Sequence, residues 1–419
     1  MEVRRTAPVK LAVPDERRDD LHESARQFLH CANRAAEFCW ADDSYTECVT
    51  ANTTARDALY DELRDETDLT ANLVQEAIRR AVQAVKGCVE RWKNGERVSQ
   101  PEFTSWSILY DKRSATFYRN KVSLSTVNGR VECDFDLPSD SPTPYERYVL
   151  SEEFEFRAST LQYDEVDDEF YFHITTRKYD SEGDDADDAD ISEDTEHQTV
   201  LGIDLGVNSL AISSTGHFWQ GDDYDHWIQE FEKRRGEMQQ RGTQAAHNAL
   251  LRLGKREEAW RKQSIHTVAN ELVSEAVERD CDVIVFEDLT DIRERLPQAK
   301  WHHIWAFRRL YEYVSYKAPE RGVSVELVEP NHTSQRCSRT DCGFTHDDNR
   351  YGEHFECQKC GYDVNADYNA AKNIGLRYAR KRTHRLRSSP KSGGGDAEVD
   401  LRINGGTLNG ESYQQIAGD

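Results

Sequence analysis

The sequence predicts a multidomain α+β protein. An N-terminal antiparallel, β-barrel-like module with a helical insert precedes an α/β core, and a four-cysteine ribbon interrupts that core late in the chain. Three observations predict this. Helical periodicity at about 15–95 interrupts a region otherwise rich in short strand patterns. A run of ten acids without one base, residues 180–196, divides the chain. Beyond it, short apolar runs that end in acids alternate with long charged helical patterns.

Residues 1–179 form the first module. Arg4–Val13 is a basic, strand-like opening that stops at Pro14. A helix follows, with Leu21, Ala25, Leu29, Ala32, Ala36 and Cys39 on its apolar face. Residues 40–58 are polar and start helix-poor. A second helix spans about Leu73–Trp92, apolar at Val74, Ile78, Ala81, Val85 and Val89. Strand patterns then mix aromatic and basic residues from Phe103 to Leu124, Asn128-Gly129 marks a hairpin turn, and further strands fall at 153–157 and 169–176. Arg79, Arg80, Lys112, Arg113, Arg119 and Lys121 are the candidate nucleic-acid contacts of this module, a solvated charged face being the other reading. Residues 180–197 are expected to be an extended acidic linker.

The core begins at 198. Val200–Gln220 suits three antiparallel strands, and Asp204 interrupts the first of them. An acid in a buried strand is costly unless it is paired or bound to a metal. Long charged helices fill 225–279, with Ala259, Ile265, Val268, Ala269, Leu272 and Ala276 as the expected core stripe. Asp282–Phe286 reads as a buried, parallel strand ending at Glu287. An aromatic-rich helix at 301–318 and a strand at 323–328 complete the core to 331. The order β-β-β-α-β-α-β, then ribbon, then α, is that of an RNase H-like fold.

Residues 332–362 form the ribbon. Cys337 and Cys342 make a C-x4-C pair, and Cys357 and Cys360 make a C-x2-C knuckle closed by Gly361. Four thiolates fit one closed, structural Zn²⁺ site. Four buried free thiols are the other reading. His332, His346 and His354 lie close enough in sequence to substitute as ligands. The last helix, 363–387, places Asp367, Ala370, Ala371 and Ile374 on one face. Small residues there permit close packing on a sheet, with Asp367 at the packed edge. Asp363 is expected to cap this helix. Residues 377–391 carry seven Arg and Lys and no acid, and 388–419, with Gly393-Gly-Gly395, are expected to be a disordered tail.

GIDLGVNSLAISS, VIVFEDL, the TSQRCS…CG…CxxCG ribbon and DYNAAKNI together resemble the RuvC-like nucleases of the TnpB/OrfB transposon-encoded family, which is related to type V CRISPR effectors. The resemblance is residue-specific over about Val200–Ile374. It implies that Asp204, Glu287 and Asp367 are the catalytic carboxylates holding two Mg²⁺, and that Cys337, Cys342, Cys357 and Cys360 hold the zinc. It also implies an RNA-guided DNA endonuclease with a guide RNA and a DNA target as partners. The residues alone imply only metal-dependent phosphodiester chemistry. Two alternatives stand beside it: a DNA transposase acting on its own element ends, and a zinc-ribbon nucleic-acid-binding regulator without chemistry.

No apolar run approaches the length of a membrane span, and no export core opens the chain, so a cytoplasmic protein is expected. Scattered Cys31, Cys39, Cys48, Cys88, Cys133 and Cys281 fit free thiols in a reducing compartment. The formal charge of −24 argues against nucleic-acid binding in dilute buffer. Many acids, few lysines and many arginines point instead to a halophilic source, where salt screens that charge. Folding is therefore expected to need high salt. The check is a thermal melt by circular dichroism at ~0.1 M and ~2 M KCl, which takes the Debye length from about 10 Å to under 3 Å. The same cooperative melt in both would reject the expectation.

Overall fold

The computed structural model describes residues 2–138, 144–179, 197–290, 292–295, 299–388 and 398–403. The chain divides into two compact units, Met1–Asp187 and Asp188–Asp419. The boundary falls inside the acid run. Residues 180–196, where the linker is expected, and most of the expected tail lie outside the described residues.

The first unit is an antiparallel sheet holding helices. Its strands are β1 (Glu2–Ala12), β2 (Ser107–Tyr110), β3 (Ala115–Phe117), β4 (Lys121–Thr126), β5 (Gly129–Asp136), β6 (Glu155–Phe156), β7 (Ser159–Asp164) and β8 (Glu169–Tyr179). Their order is β2-β7-β8-β1-β5-β4-β3, with β6 on β8. The ends of this order nearly meet. Tyr110 Oη in β2 donates to the Ser125 carbonyl in β4 (2.9 Å), so the sheet is a nearly closed barrel. Between β1 and β2 the chain inserts α1 (Arg18–Cys39), α2 (Asn52–Glu66) and α3 (Ala71–Lys93). The stripe Val74, Ile78, Ala81, Val85 and Val89 of α3 is buried with Leu21, Phe28 and Ala32 of α1. The second helix, α2, occupies a stretch expected to begin helix-poor. It buries only Ala55, Leu59 and Leu63, a stripe too thin to stand out among the surrounding polar residues.

The second unit is built on a mixed sheet, in the order β11-β10-β9-β12-β13. Here β9 is His197–Asp204, β10 Ser209–Ser213, β11 Phe218–Gln220, β12 Val283–Glu287 and β13 Ser324–Val328. β9, β10 and β11 pair antiparallel, while β12 runs parallel to both β9 and β13. The helices α4 (Asp222–Gln239), α5 (Gln244–Glu278), the short α6 (Ile292–Arg295) and α7 (Trp301–Lys317) connect them. In α5, Ile265, Ala269, Leu272 and Ala276 enter the core as expected. Ala259 is instead exposed; Ala246, Leu253 and Glu257 are the buried residues of that half of the helix. The ribbon carries its own sheet, β14 (Arg350–Tyr351), β15 (His354–Glu356) and β16 (Asp363–Asn365), and α8 (Ala366–Ser388) follows without a break.

Two boundaries differ from expectation. Residues 363–365 are not the start of the last helix but a strand in register with β15, Asp363 facing Glu356. The helix N-terminus is capped by Asn365, whose Oδ1 accepts from the backbone N–H of Asp367 (2.9 Å) and of Tyr368 (3.0 Å). Asp363 is exposed and lies 3.4 Å from His354, so it caps nothing. The second difference is β17 (Glu398–Leu401), which falls in the expected tail yet pairs parallel with the first half of β9. Val399, Leu401 and Ile403 alternate and are buried, a period-2 pattern that a strand needs.

Close approach of α8 to β9 fixes the depth of the helix. A side chain at Gly202 in β9 would press into the Ala371 carbonyl and come within 2.8 Å of Gly375 N. Neither backbone can yield without moving an element. Gly202→Ala is expected to lower stability by about 1–3 kcal/mol, as overpacking does. A urea midpoint equal to wild type, measured in high salt, would show that the helix is free to slide.

Candidate active site and cysteine centre

Parallel pairing of β9 with β12 opposes Phe286 and Ile203. The next residues, Asp204 and Glu287, therefore stand side by side at the carboxyl ends of neighbouring strands. Asp367 sits in the first turn of α8, nearly buried, and joins them in one pocket of about 580 Å³. Leu205, Gly206, Thr333, Arg350 and Glu353 are also in its wall. All three expected carboxylates are thus brought together, although they come from residues as far apart as 204 and 367.

The pocket strains its own charges. Burial pushes the Asp204 carboxyl well above the usual carboxylate range, and the Glu287 and Asp367 carboxylates push it further. Arg350 and the Leu205 backbone N–H oppose them. The two other acids have fixed partners. Arg350 donates from its guanidinium to Asp367 Oδ1 (2.7 Å), and the Thr333 hydroxyl donates to Glu287 Oε1. Asn208, in the turn after β9, donates to Glu353 on the ribbon. The excess of carboxylate over cation in one half-buried pocket is the chemistry of a divalent-cation site.

Sequence reasoning missed Arg350, Thr333 and Glu353. Thr333 lies inside the TSQRCS motif and was legible as part of it. Arg350 and Glu353 sit in a polar ribbon loop, where nothing in the local pattern sets them apart.

The four cysteines converge as expected. Cys337 Sγ lies 3.8 Å from Cys360 Sγ, and Cys342 Sγ 3.7 Å from Cys357 Sγ. Sulfurs at about 2.3 Å from a tetrahedral ion would stand about 3.8 Å apart. The residues therefore fit a four-thiolate ion, and the wider first pair is no obstacle. Its extra residues form a turn in which Cys342 N and Gly343 N both donate to the Arg339 carbonyl. Gly361 closes the second knuckle at φ +68°, a conformation that favours glycine. His332, His346 and His354 bond or pair with Gln335, Asp348 and Asp363, so none is needed as a ligand. Asn369 and Asn373, one turn apart on α8, tie the ribbon to the helix: Asn369 accepts from Ser338 N (3.1 Å), and both donate to the Arg336 carbonyl.

Among the described residues, Asp225, His302 and His303 also converge within reach of one ion. Lys300 N donates to His303 Nδ1 (3.2 Å), so neutral His303 carries its proton on Nε2 and gives it to Asp225 Oδ1 (2.8 Å). A ligating imidazole would offer Nε2 bare and donate from Nδ1. Burial, with His303 alongside, holds His302 below the usual histidine range. This trio pins α7 to the first turn of α4.

The expected nucleic-acid contacts of the first unit are mostly engaged within it. Arg79 and Arg113 pair with buried Glu76, and Lys121 with Glu132. Arg80 donates to Ser107, and Arg119 to the Val149 and Phe154 carbonyls. Arg80 and Arg113 thus tie α3 to the β2 region, and Arg119 ties the turn after β3 to residues 149–154. Lys112 is exposed.

Residues 307–374 match the family model of the Cas12f1-like TNB domain. The chain is 30% identical over 252 residues to the CRISPR-associated endodeoxyribonuclease Cas12f1 of Sulfoacidibacillus thermotolerans, covering 54% of this chain and 55% of that protein. It is 30% identical over 189 residues to a TnpB-like protein of Aquifex aeolicus, covering 41% and 56%. The chain thus spans about half the length of the curated relatives it matches. Its fold is similar to that of Cas12f1 in the cryo-EM structure of a Cas12f1–sgRNA–target DNA complex, with a TM-score of 0.61 at 14% identity, covering 89% of this chain and 98% of that one. The TnpB/OrfB resemblance carried by the motifs is met by these relatives.

Proposed function

We propose that this relative of the Cas12f1 and TnpB-like proteins is a metal-dependent DNA endonuclease, RNA-guided and encoded by a transposable element, with an RNase H-like, RuvC-type core. One observation carries the reading: Asp204, Glu287 and Asp367, from two strand ends and a helix start, line one pocket in which their charges are unbalanced. A regulator without chemistry has no use for that arrangement. The guide RNA and the DNA target are proposed from the relatives' printed descriptions. No described helix is long and apolar enough to cross a membrane.

Asp204, Glu287 and Asp367 would hold two Mg²⁺, which when bound polarise the scissile phosphate and lower the pKa of water. The chain's own groups do the positioning. Thr333 fixes the Glu287 rotamer, and Arg350 brings a guanidinium to the wall where a phosphate would gather negative charge. Gly206 leaves room beside Asp367; a side chain there would meet the Ser209 carbonyl at 3.3 Å. The cysteine set would hold one structural Zn²⁺ that orders the ribbon bearing Arg350.

Asp367→Ala is expected to abolish cleavage, by at least about 100-fold, and to leave nucleic-acid binding intact, because it removes transition-state stabilisation rather than docking. Asp363→Ala, which removes only an exposed pair, should cost about 0–1 kcal/mol and no activity. An active Asp367→Ala would overturn the site assignment. Sequencing the nucleic acid that co-purifies separates the guided nuclease from a transposase: one discrete RNA supports the first, and bound element ends without RNA the second.

Cys360→Ala should lose zinc and destabilise the ribbon, since a structural ion contributes folding free energy directly. Elemental analysis that finds full zinc in this variant would reject the zinc assignment.

A further inference from the structure

Gly202 sets how closely α8 approaches β9, and the metal-site reading leaves open what keeps the helix, and Asp367 with it, in that place. We propose that residues 398–403 form a strap whose Leu401 seats α8 and thereby positions Asp367 against Asp204 and Glu287; this rests on the reading of those acids as a metal site.

The strap is built into the sheet. Glu398 to Leu401 pair with His197 to Val200 in parallel register, and Arg402 N donates to the Val200 carbonyl (2.9 Å). Arg402 Nε donates to the Arg279 carbonyl at the end of α5 (2.9 Å). Ser214, fully buried, joins the strap to the strand bearing Asp204. Its hydroxyl donates to the Arg402 carbonyl (2.6 Å) and accepts from Gly202 N (3.1 Å).

Leu401 then reaches the helix. It is buried with Ile374 and Leu376, and its Cδ1 occupies the space a side chain at Gly375 would need. Gly375 also lies against Gly202, together with the Ala371 carbonyl. The α8 backbone is thus held at one point between Gly202 beneath it and Leu401 beside it. Asp367 lies eight residues before that point, in the first turn of the same helix. Removing the Leu401 side chain empties one jaw of the clamp, and α8 gains room to shift. Asp367 is the ligand that such a shift displaces, since Asp204 and Glu287 are fixed by the sheet. Leu401 touches neither metal ligand nor pocket, so its role is positioning.

Mn²⁺ titration of the full chain tests this, with zinc content as the control for an intact ribbon. Leu401→Ala is expected to weaken Mn²⁺ binding roughly 10–100-fold, the range for groups that support a ligand from outside. Leu401→Met should restore most of it. Wild-type affinity in Leu401→Ala overturns the proposal. If wild type binds Mn²⁺ no better than Asp204→Asn, the metal reading fails instead, and amide exchange decides the strap. Faster exchange at Tyr368–Gly375 in Leu401→Ala then supports it, and unchanged exchange overturns it. Should Leu401→Ala not fold, Leu401→Val, which removes a single methylene, is put through the same comparison with the same criteria.

Discussion

Mutual repulsion among three carboxylates is the constraint on which the second unit depends. Asp204 is driven toward its neutral form by burial and by its neighbours Glu287 and Asp367. A fold that left these groups free would let them move apart. This one fixes each by a different device. Backbone pairing of β9 with β12 sets Asp204 and Glu287 level. Thr333 holds the Glu287 carboxylate, and Arg350 holds that of Asp367. Glycine at 202 admits α8 closely enough for Asp367 to join them. The repulsion is therefore kept rather than relieved, and the pocket keeps more carboxylate than cation in its wall.

The parts of this site that were legible in the sequence are those where local pattern and burial coincide. Asp204 and Glu287 each interrupt or end an apolar run, and such a run is a strand whatever surrounds it. The cysteines were legible from spacing, because ligand geometry tolerates a longer turn between knuckles. Asp367 was legible from the helical face it shares with Ala370, Ala371 and Ile374. The helix start was not, because three residues of ribbon strand run straight into it. Asn365 caps the helix from the end of that strand, and Asp363, four residues before Asp367, was the wrong candidate. The late strand was hidden by its flanks. Val399, Leu401 and Ile403 alternate, but a basic stretch and three glycines precede them.

Basic residues were the least legible class. In a chain with 78 acids and 54 lysines and arginines, most cations can find an acid nearby, so an Arg in a strand or on a helix says little about phosphate. Arg79, Arg113 and Lys121 all pair within the first unit. Arg235 and Arg261 do the same in the second, sharing buried Glu257. An acidic composition therefore converts part of its arginine from ligand contacts into cross-links. Nucleic acid would have to be recognised by residues exposed without such partners, or by groups that exchange one partner for another.

Arg350 is bound in the same way, to an acid of the pocket. It stands on β14, while the carboxylate it holds begins α8, and between the two lie Cys357 and Cys360. The path from the cysteine centre to Asp367 is only seven residues long, through Gly361, the strand β16 and the Asn365 cap. An ion held by the four thiolates would therefore steady both ends of the Arg350–Asp367 pair at once. Asn369 and Asn373 close the loop by fastening the first cysteine turn back onto α8. Cysteine centre and acid pocket are consequently joined through bonded chain and hydrogen bonds, although no cysteine lies in the pocket wall.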